Sequence, residues 1–324
     1  MHTHPTFKPM FVREKLIRDI RVFFEKHHFH EVIVPVLNTT VPLEPTLFPF
    51  STTWSTCEGE QMMYLSTSPE RHLKKMLAQG LGNCYVIGHT FRNVERSGPY
   101  HHPEFLMLEW YREHANFNQI MDDVEKLVRF IVHTNTIHYQ GQTYPLQHSF
   151  PRLSLEKLFI KHVGVSFSEI LTDKNMKSCA KKHGYAIKNA TWEQLFHQIM
   201  LNEVEPYFPK KPFFLLDFPA RISPLCACNA IKPYLADRFE FFIAVIEIGN
   251  GNTEDTSRAR IQKGFEQELK NRITARQLST PIDEEFLQSV DHLHHQSYAG
   301  IGLGIDRLAM ILADVTDIHM ISGD

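Results

Sequence analysis

The sequence predicts an α+β fold, with sheet-forming segments towards both ends of the chain and a helical section between them. Apolar alternation marks strands at 31–36, 85–91, 105–111, 213–218 and 238–248. Helical spacing of apolar residues marks 11–28 (Phe11, Leu16, Ile20, Phe23, Phe24), the stripe Ile120, Val124, Leu127, Val128, Ile131, and the stripe Trp192, Leu195, Phe196, Ile199. From Arg112 to about Pro212 the pattern is mainly helical, and no Gly/Ser linker bounds it. Residues 1–324 therefore read as one domain carrying a helical insertion at about 112–212.

The 324 residues are enough for a substantial core, and 43% hydrophobic with 22% charged content is ordinary for a globular chain. A net charge of −3 supplies no global basic field to attract nucleic acid. The N-terminus lacks a charged-then-apolar signal, and no apolar run approaches the roughly 20 residues that span a bilayer. A cytoplasmic protein without a membrane partner is expected. Five cysteines (57, 84, 179, 226, 228) form no framework, and Cys226-Ala-Cys228 is too short for a zinc knuckle. Reduced thiols are the expected state. The 20 histidines are scattered without a metal-ligand register.

Taken in order, Glu31–Val36 is a strand whose Pro35 suits an edge. Ser68 is expected to cap a helix that has Pro69 in its first turn and Glu70 near its positive end. The next strand enters FRNVERSGPYHHPEFLMLEWY, residues 91–111. Alternation there puts Phe105, Met107, Glu109 and Tyr111 on one face and Leu106, Leu108 and Trp110 on the other. A carboxylate in so apolar a strand is costly to bury without a partner, so Glu109 calls for a cation from the protein or from a ligand.

In RFEFFIAVIEIGNGNTED (238–255), one continuous strand would put Glu240 and Glu247 on opposite faces. A two-residue turn at Ala244-Val245 would put them on the same face, although Ala-Val is a poor turn dipeptide. Two carboxylates on one face suit Mg²⁺, and they read equally as a solvated pair. The loop Gly249-Asn-Gly-Asn252 allows close approach of a ligand or is a plain turn. In GIGLGIDRLAMIL (300–312) the alternate glycines clear one sheet face, and Arg307 stands in the first turn of the following helix, where a cation is electrostatically disfavoured.

Together these segments resemble the class II aminoacyl-tRNA synthetases, and most closely the lysyl branch. FRN…HHPEFLMLEWY is similar to that family's motif 2, GIGLGIDRLAMIL to motif 3, and FHEVIVPVL (29–37) holds the place of the dimer-forming motif 1. RISPL (221–225) and RFE…EIGNGNTED match the lysyl pattern. The resemblance implies a mostly antiparallel sheet flanked by helices, a homodimer, and ATP with Mg²⁺. It implies that Arg92 holds the α-phosphate and substrate carboxylate, that Phe105 stacks on adenine, and that Arg307 covers the other adenine face. Glu95 and His101 join the ATP site, with Val94 or Glu95 standing where a glutamate meets adenine, and Glu240 and Glu247 hold Mg²⁺. For the amino acid it implies that Glu70 meets the α-amine, that Glu109, Tyr111 and Glu254 meet a side-chain ammonium, and that Asn250 and Gly302 line the pocket. Locally, Glu70 reads just as well as a first-turn carboxylate favoured by the helix dipole.

Lysyl-tRNA synthetases carry an N-terminal anticodon-reading domain, whereas the resemblance here starts at about residue 11. A core of this kind resembles the lysine ligase branch that transfers lysine or β-lysine to a lysine ε-amine of elongation factor P, and that acceptor is the expectation. Some positions depart from the pattern: VERSGPY (94–100) is one residue longer, His102 replaces Asn, Asn252-Thr253 replaces Phe-His or Phe-Ser, and Gly302 stands where the ligase branch has Ala and the tRNA synthetases Gly. The alternatives are lysyl transfer to tRNA or another RNA, a small-molecule amide ligase, and a catalytically silent regulatory paralogue.

Overall fold

The computed structural model describes residues 7–322 apart from 46, 95–97 and 294–295. Strands β1 (His30–Glu31), β2 (Cys84–Phe91), β3 (Glu104–Glu113), β4 (Arg152–Ser154), β5 (Phe213–Pro219), β6 (Leu235–Ile243), β7 (Ile246–Thr253) and β8 (Tyr298–Gly304) make an eight-stranded sheet. Its order is β1-β2-β3-β8-β7-β6-β5-β4. The pairings are antiparallel except at the two edges, β1 with β2 and β4 with β5. Sheet and helices together bear out the α+β expectation.

The face of β3 bearing Leu106, Leu108 and Trp110 packs on α1 (Lys8–Lys26), α3 (Phe117–Val132) and α9 (Ile305–Ala313) in the main hydrophobic core. Phe24 of α1 is wholly buried there, stacked on Tyr85 with ring centroids 4.5 Å apart and meeting Trp110 edge-on at 5.3 Å. Leu16, Ile20 and Phe23 share that stripe, but Phe11 does not, being 44% exposed. At 100° per residue, position 11 is turned well away from the stripe. Part of the opposite face is covered by α2 (Glu70–Ala78) and α8 (Glu284–Leu293), through Leu73, Leu77, Val86 and Leu293.

The segment expected to be a helical insertion is more mixed. Arg112 and Glu113 still belong to β3, α3 belongs to the main core, and a hairpin pairs Thr136–Tyr139 with Gln142–Pro145. Its turn, Gln140-Gly141, has φ of 49° and 71°, the left-handed pair that a two-residue hairpin needs. Helices α4 (Leu155–His162), α5 (Asp173–Lys182) and α6 (Trp192–Ile199) then build a second core around Phe159, Phe167, Trp192 and Phe196, against Phe213 and Phe242 of the sheet. The expected strand at 31–36 is laddered only at His30–Glu31. Val32 still donates to Tyr85 O at 2.9 Å, and the stretch to Val36 then leaves the ladder, as Pro35 permits. A separate three-stranded sheet joins Leu37–Asn38, Gly59–Leu65 and Ser51–Thr56.

Phe24→Ala should lower unfolding stability by about 3–5 kcal/mol, the cost of emptying a packed aromatic site. Phe11→Ala should change it by less than about 0.5 kcal/mol. Melting temperatures of the two variants check the assignment of the buried face.

Candidate active site

Antiparallel register lines up one row of residues across the sheet: Glu109 of β3, Gly302 of β8, Asn250 of β7 and Glu240 of β6. A second row runs Cys84, Tyr111, Gly300, Asn252, Arg238. Side chains opposite one another in register share a face, so the expected residues converge although they come from distant parts of the sequence. The turn at Ala244-Val245 is formed, with φ of 53° and 64°, and it sets Phe242 opposite Glu247. A bulge beside Phe241 then restores the register to Glu240 opposite Asn250. Glycine is required at 300, where a Cβ would stand 2.4 Å from the Tyr111 ring. At 302 the nearest atoms to a Cβ would be the end of the flexible Met107 side chain, its sulfur at 3.3 Å, and Glu109 Oε2 at 3.8 Å.

Glu109 is 3% exposed, and its Oε1 accepts a hydrogen bond from the Tyr111 hydroxyl at 2.9 Å. Burial, and then the negative charge of Glu70, push its carboxyl well above the ordinary carboxylate range. Burial and Glu109 likewise push the Tyr111 hydroxyl upward, so it stays a donor. Beside them, the ammonium of Lys74 bridges Glu70 and Glu254, lying 2.5 Å from Glu254 Oε2. Glu254 also accepts from Asn252 Nδ2 at 3.0 Å. Burial raises Glu254 to about 7 against the lowering effect of Lys74. Ser68 does not cap α2: the N-cap is Pro69, one residue on, and Ser68 Oγ is left buried without a partner. Thr67 Oγ1 and Thr90 Oγ1 are likewise buried without a hydrogen-bond partner within the protein.

At the other end of the face, the Arg92 guanidinium lies 5.2 Å from the centre of the Phe105 ring and donates to Thr67 O at 3.3 Å. Arg307 stands in the first turn of α9 and donates to Tyr100 O and Glu247 O, each at 3.0 Å. Two carbonyls thus offset its unfavourable position on the helix dipole. Asp306 beside it accepts from Leu106 N at 2.7 Å and from Arg13 at 3.2 Å, tying α9 to β3 and α1. Glu240 accepts from Arg238 at 2.8 Å, yet burial and the facing Glu247 hold its carboxyl up at about 8. Glu240 and Glu247, each half-buried, are a carboxylate pair on one face that fits a divalent cation shared with phosphate oxygens. Among the described residues no group of three or more His, Cys, Asp or Glu side chains could hold a metal alone. His101 forms a bridge with Gly98, Val94 is 74% exposed, and Glu95 lies outside the described residues. Cys226 and Cys228 are free thiols whose backbones bridge to Glu254 and Ala236.

Sequence reasoning missed Lys74 and Arg238. A Glu–Lys pair four apart on a helix is ordinarily a surface pair, and only the tertiary packing shows Lys74 to be 2% exposed.

The profile of the family described as tRNA synthetases class II (D, K and N) matches residues 3–322. The chain belongs to this family. The class II chain is 33% identical over 315 residues to the elongation factor P–(R)-β-lysine ligase of Baumannia cicadellinicola subsp. Homalodisca coagulata, covering 93% of this chain and 90% of the relative. It is 30% identical to the protein of the same name from Buchnera aphidicola subsp. Schizaphis graminum, covering 98% and 95% of the two chains. With the lysine–tRNA ligase of Thioalkalivibrio sulfidiphilus it shares 29% identity over 95% of this chain and 62% of that relative. Among the described residues no helix is long and apolar enough to cross a membrane.

A carboxyl raised from about 4.3 in the unfolded chain to about 8 in the folded one binds its proton more tightly when folded. Its contribution to stability therefore falls as pH rises from about 4.5 to 8 and is level above that. Glu240→Gln should raise the melting temperature at pH 8, in metal-free buffer, and leave it nearly unchanged at pH 4.5. Thermal melts at the two pH values check this.

Proposed function

We propose that the protein is an ATP-dependent, AMP-forming ligase that activates lysine or β-lysine as an aminoacyl-adenylate and passes it to a lysine ε-amine of elongation factor P. The observation that carries the amino-acid side is Glu109. It is a buried carboxylate bonded by a hydroxyl, while the neighbouring Lys74 is shared between Glu70 and Glu254. A ligand ammonium at Glu109 exchanges its own hydration for a charge-assisted bond and lets the carboxyl ionise. Glu70, Tyr111, Glu254, Asn250 and Gly302 complete this end of the pocket.

The chemistry needs no protein nucleophile. The substrate carboxylate is ionised near neutral pH. Its oxygen forms a bond to the α-phosphorus of ATP, the bond to the β-phosphate oxygen breaks, and pyrophosphate leaves with the electron pair. Arg92 holds the carboxylate and α-phosphate, Phe105 and Arg307 enclose the adenine, and His101 and Glu95 join the ATP site. Glu240 and Glu247 would hold Mg²⁺, which neutralises phosphate charge when bound. The acceptor amine then attacks the carbonyl carbon, the carbon–oxygen bond to AMP breaks, and the amine proton passes to solvent.

The protein acceptor is supported by the likeness to two relatives named elongation factor P–(R)-β-lysine ligase over nine-tenths or more of their length. Transfer to tRNA is the second reading, favoured by the lysine–tRNA ligase relatives and by Gly302. Such ligases are expected to work as homodimers in the cytoplasm.

Glu109→Gln should reduce lysine-dependent ATP–pyrophosphate exchange at least 100-fold while ATP binding stays within threefold. Equal loss of both would make Glu109 structural. Incubation with ATP, Mg²⁺ and either lysine isomer, followed by mass analysis of elongation factor P and tRNA offered together, tests the acceptor. A lysyl mass gained only by tRNA would overturn the protein acceptor.

A further inference from the structure

Lys74 is the one cation bonded within the acidic end of the site among the described residues, and the resemblance to the lysyl branch assigned it nothing. Its side chain is 2% exposed and its ammonium bridges Glu70, on its own helix, to Glu254, at the end of β7. Phe286 of α8 closes over it, with the nitrogen 5.9 Å from the ring centre. Burial works against its charge, and Glu254 and Glu70 more than reverse that effect, so it is held as an ammonium. The same two contacts rule it out as an acceptor amine or nucleophile, since it has no lone pair to offer. Burial, and then the charge of Glu70, raise the nearby Glu44 to about 7, against the opposing effect of Arg92, Lys74 and Arg238.

We propose that Lys74 is a resident counter-ion of the amino-acid pocket, which positions Glu70 and Glu254 and sets the pocket's charge to suit a substrate with two ammonium groups. Once substrate ionises all three, the carboxylates of Glu70, Glu109 and Glu254 less one fixed ammonium present two negative charges. A diamino acid brings two positive ones, and its carboxylate is left for Arg92. Without Lys74 the pocket holds three carboxylates and no cation. A carboxyl besides Glu109 then keeps a proton, or the substrate ammonium is drawn into the vacated notch, and both events draw lysine away from its productive position. The inference rests on the reading of the pocket as a lysine site.

ATP–pyrophosphate exchange should be measured on the wild type, on Lys74→Met, and on the double variant Lys74→Met/Glu254→Gln, with a thermal melt of each. Removing both members of a buried pair is better tolerated than removing one, so the double variant serves if the single one does not fold. Lys74→Met should lose at least tenfold in kcat/KM for lysine while KM for ATP changes less than threefold. The double variant keeps the native charge and should recover at least threefold over the single, or, where the single does not fold, should still activate lysine with a near-native KM for ATP. Unchanged lysine kinetics in Lys74→Met, equal losses for lysine and ATP, or a folded double variant that is inactive or worse than the single would overturn the inference. A wild type without lysine-dependent exchange would remove the lysine reading itself, and this inference with it.

Discussion

Everything at the candidate site depends on one constraint: a carboxylate in the middle of a sheet face, cut off from water. Glu109 sits at 3% exposure with a tyrosine hydroxyl as its bonded neighbour. An ionised group in such a place is stabilised by a cation or takes a proton. The surroundings are arranged around that demand. Gly300 lets the Tyr111 ring lie flat, Gly302 leaves room in front of the carboxylate, and Lys74 is held by the two flanking glutamates. Charge, space and hydrogen bonding thus point to the same ligand feature, an ammonium group.

The sheet makes this arrangement rigid. Glu109, Gly302, Asn250 and Glu240 come from four strands and three distant stretches of sequence, and ladder hydrogen bonds hold them in one row. With strands about 4.8 Å apart, the row spans roughly 14 Å from the ammonium end to the carboxylate pair. That is room for an amino acid and a nucleotide phosphate chain laid side by side. The helical layer behind, with Phe24 and Trp110 in its core, fixes the sheet without entering the site.

Much of this was legible because period-2 alternation is a local signal. It separated the Glu109 face from the Trp110 face, and the alternate glycines at 300 and 302 announced a cleared surface. The turn at Ala244-Val245 was inferable only from the need to bring Glu240 and Glu247 together, since neither residue favours positive φ. Other features depended on tertiary packing. Lys74 looks like half of a surface pair until Glu254 and Phe286 close over it. Ser68 looks like a cap until Pro69 takes that position and leaves its hydroxyl buried without a partner. The hairpin at 136–145 did carry a local signal, Gln140-Gly141 between alternating residues, inside a region whose strong helical stripes masked it.

The most direct measurement is the proton released when lysine binds. In the free pocket Glu109 is pushed far above the ordinary carboxylate range. An incoming ammonium reverses that, so the carboxyl ionises and gives its proton to the buffer. Titration calorimetry of lysine in buffers of different ionisation enthalpy, near pH 7, should show clearly more proton release per site in the wild type than in Glu109→Gln, the difference approaching one proton. Lysine binding without proton release in the wild type, or with equal release in both proteins, would contradict the assignment of Glu109 as the carboxylate that receives the substrate ammonium.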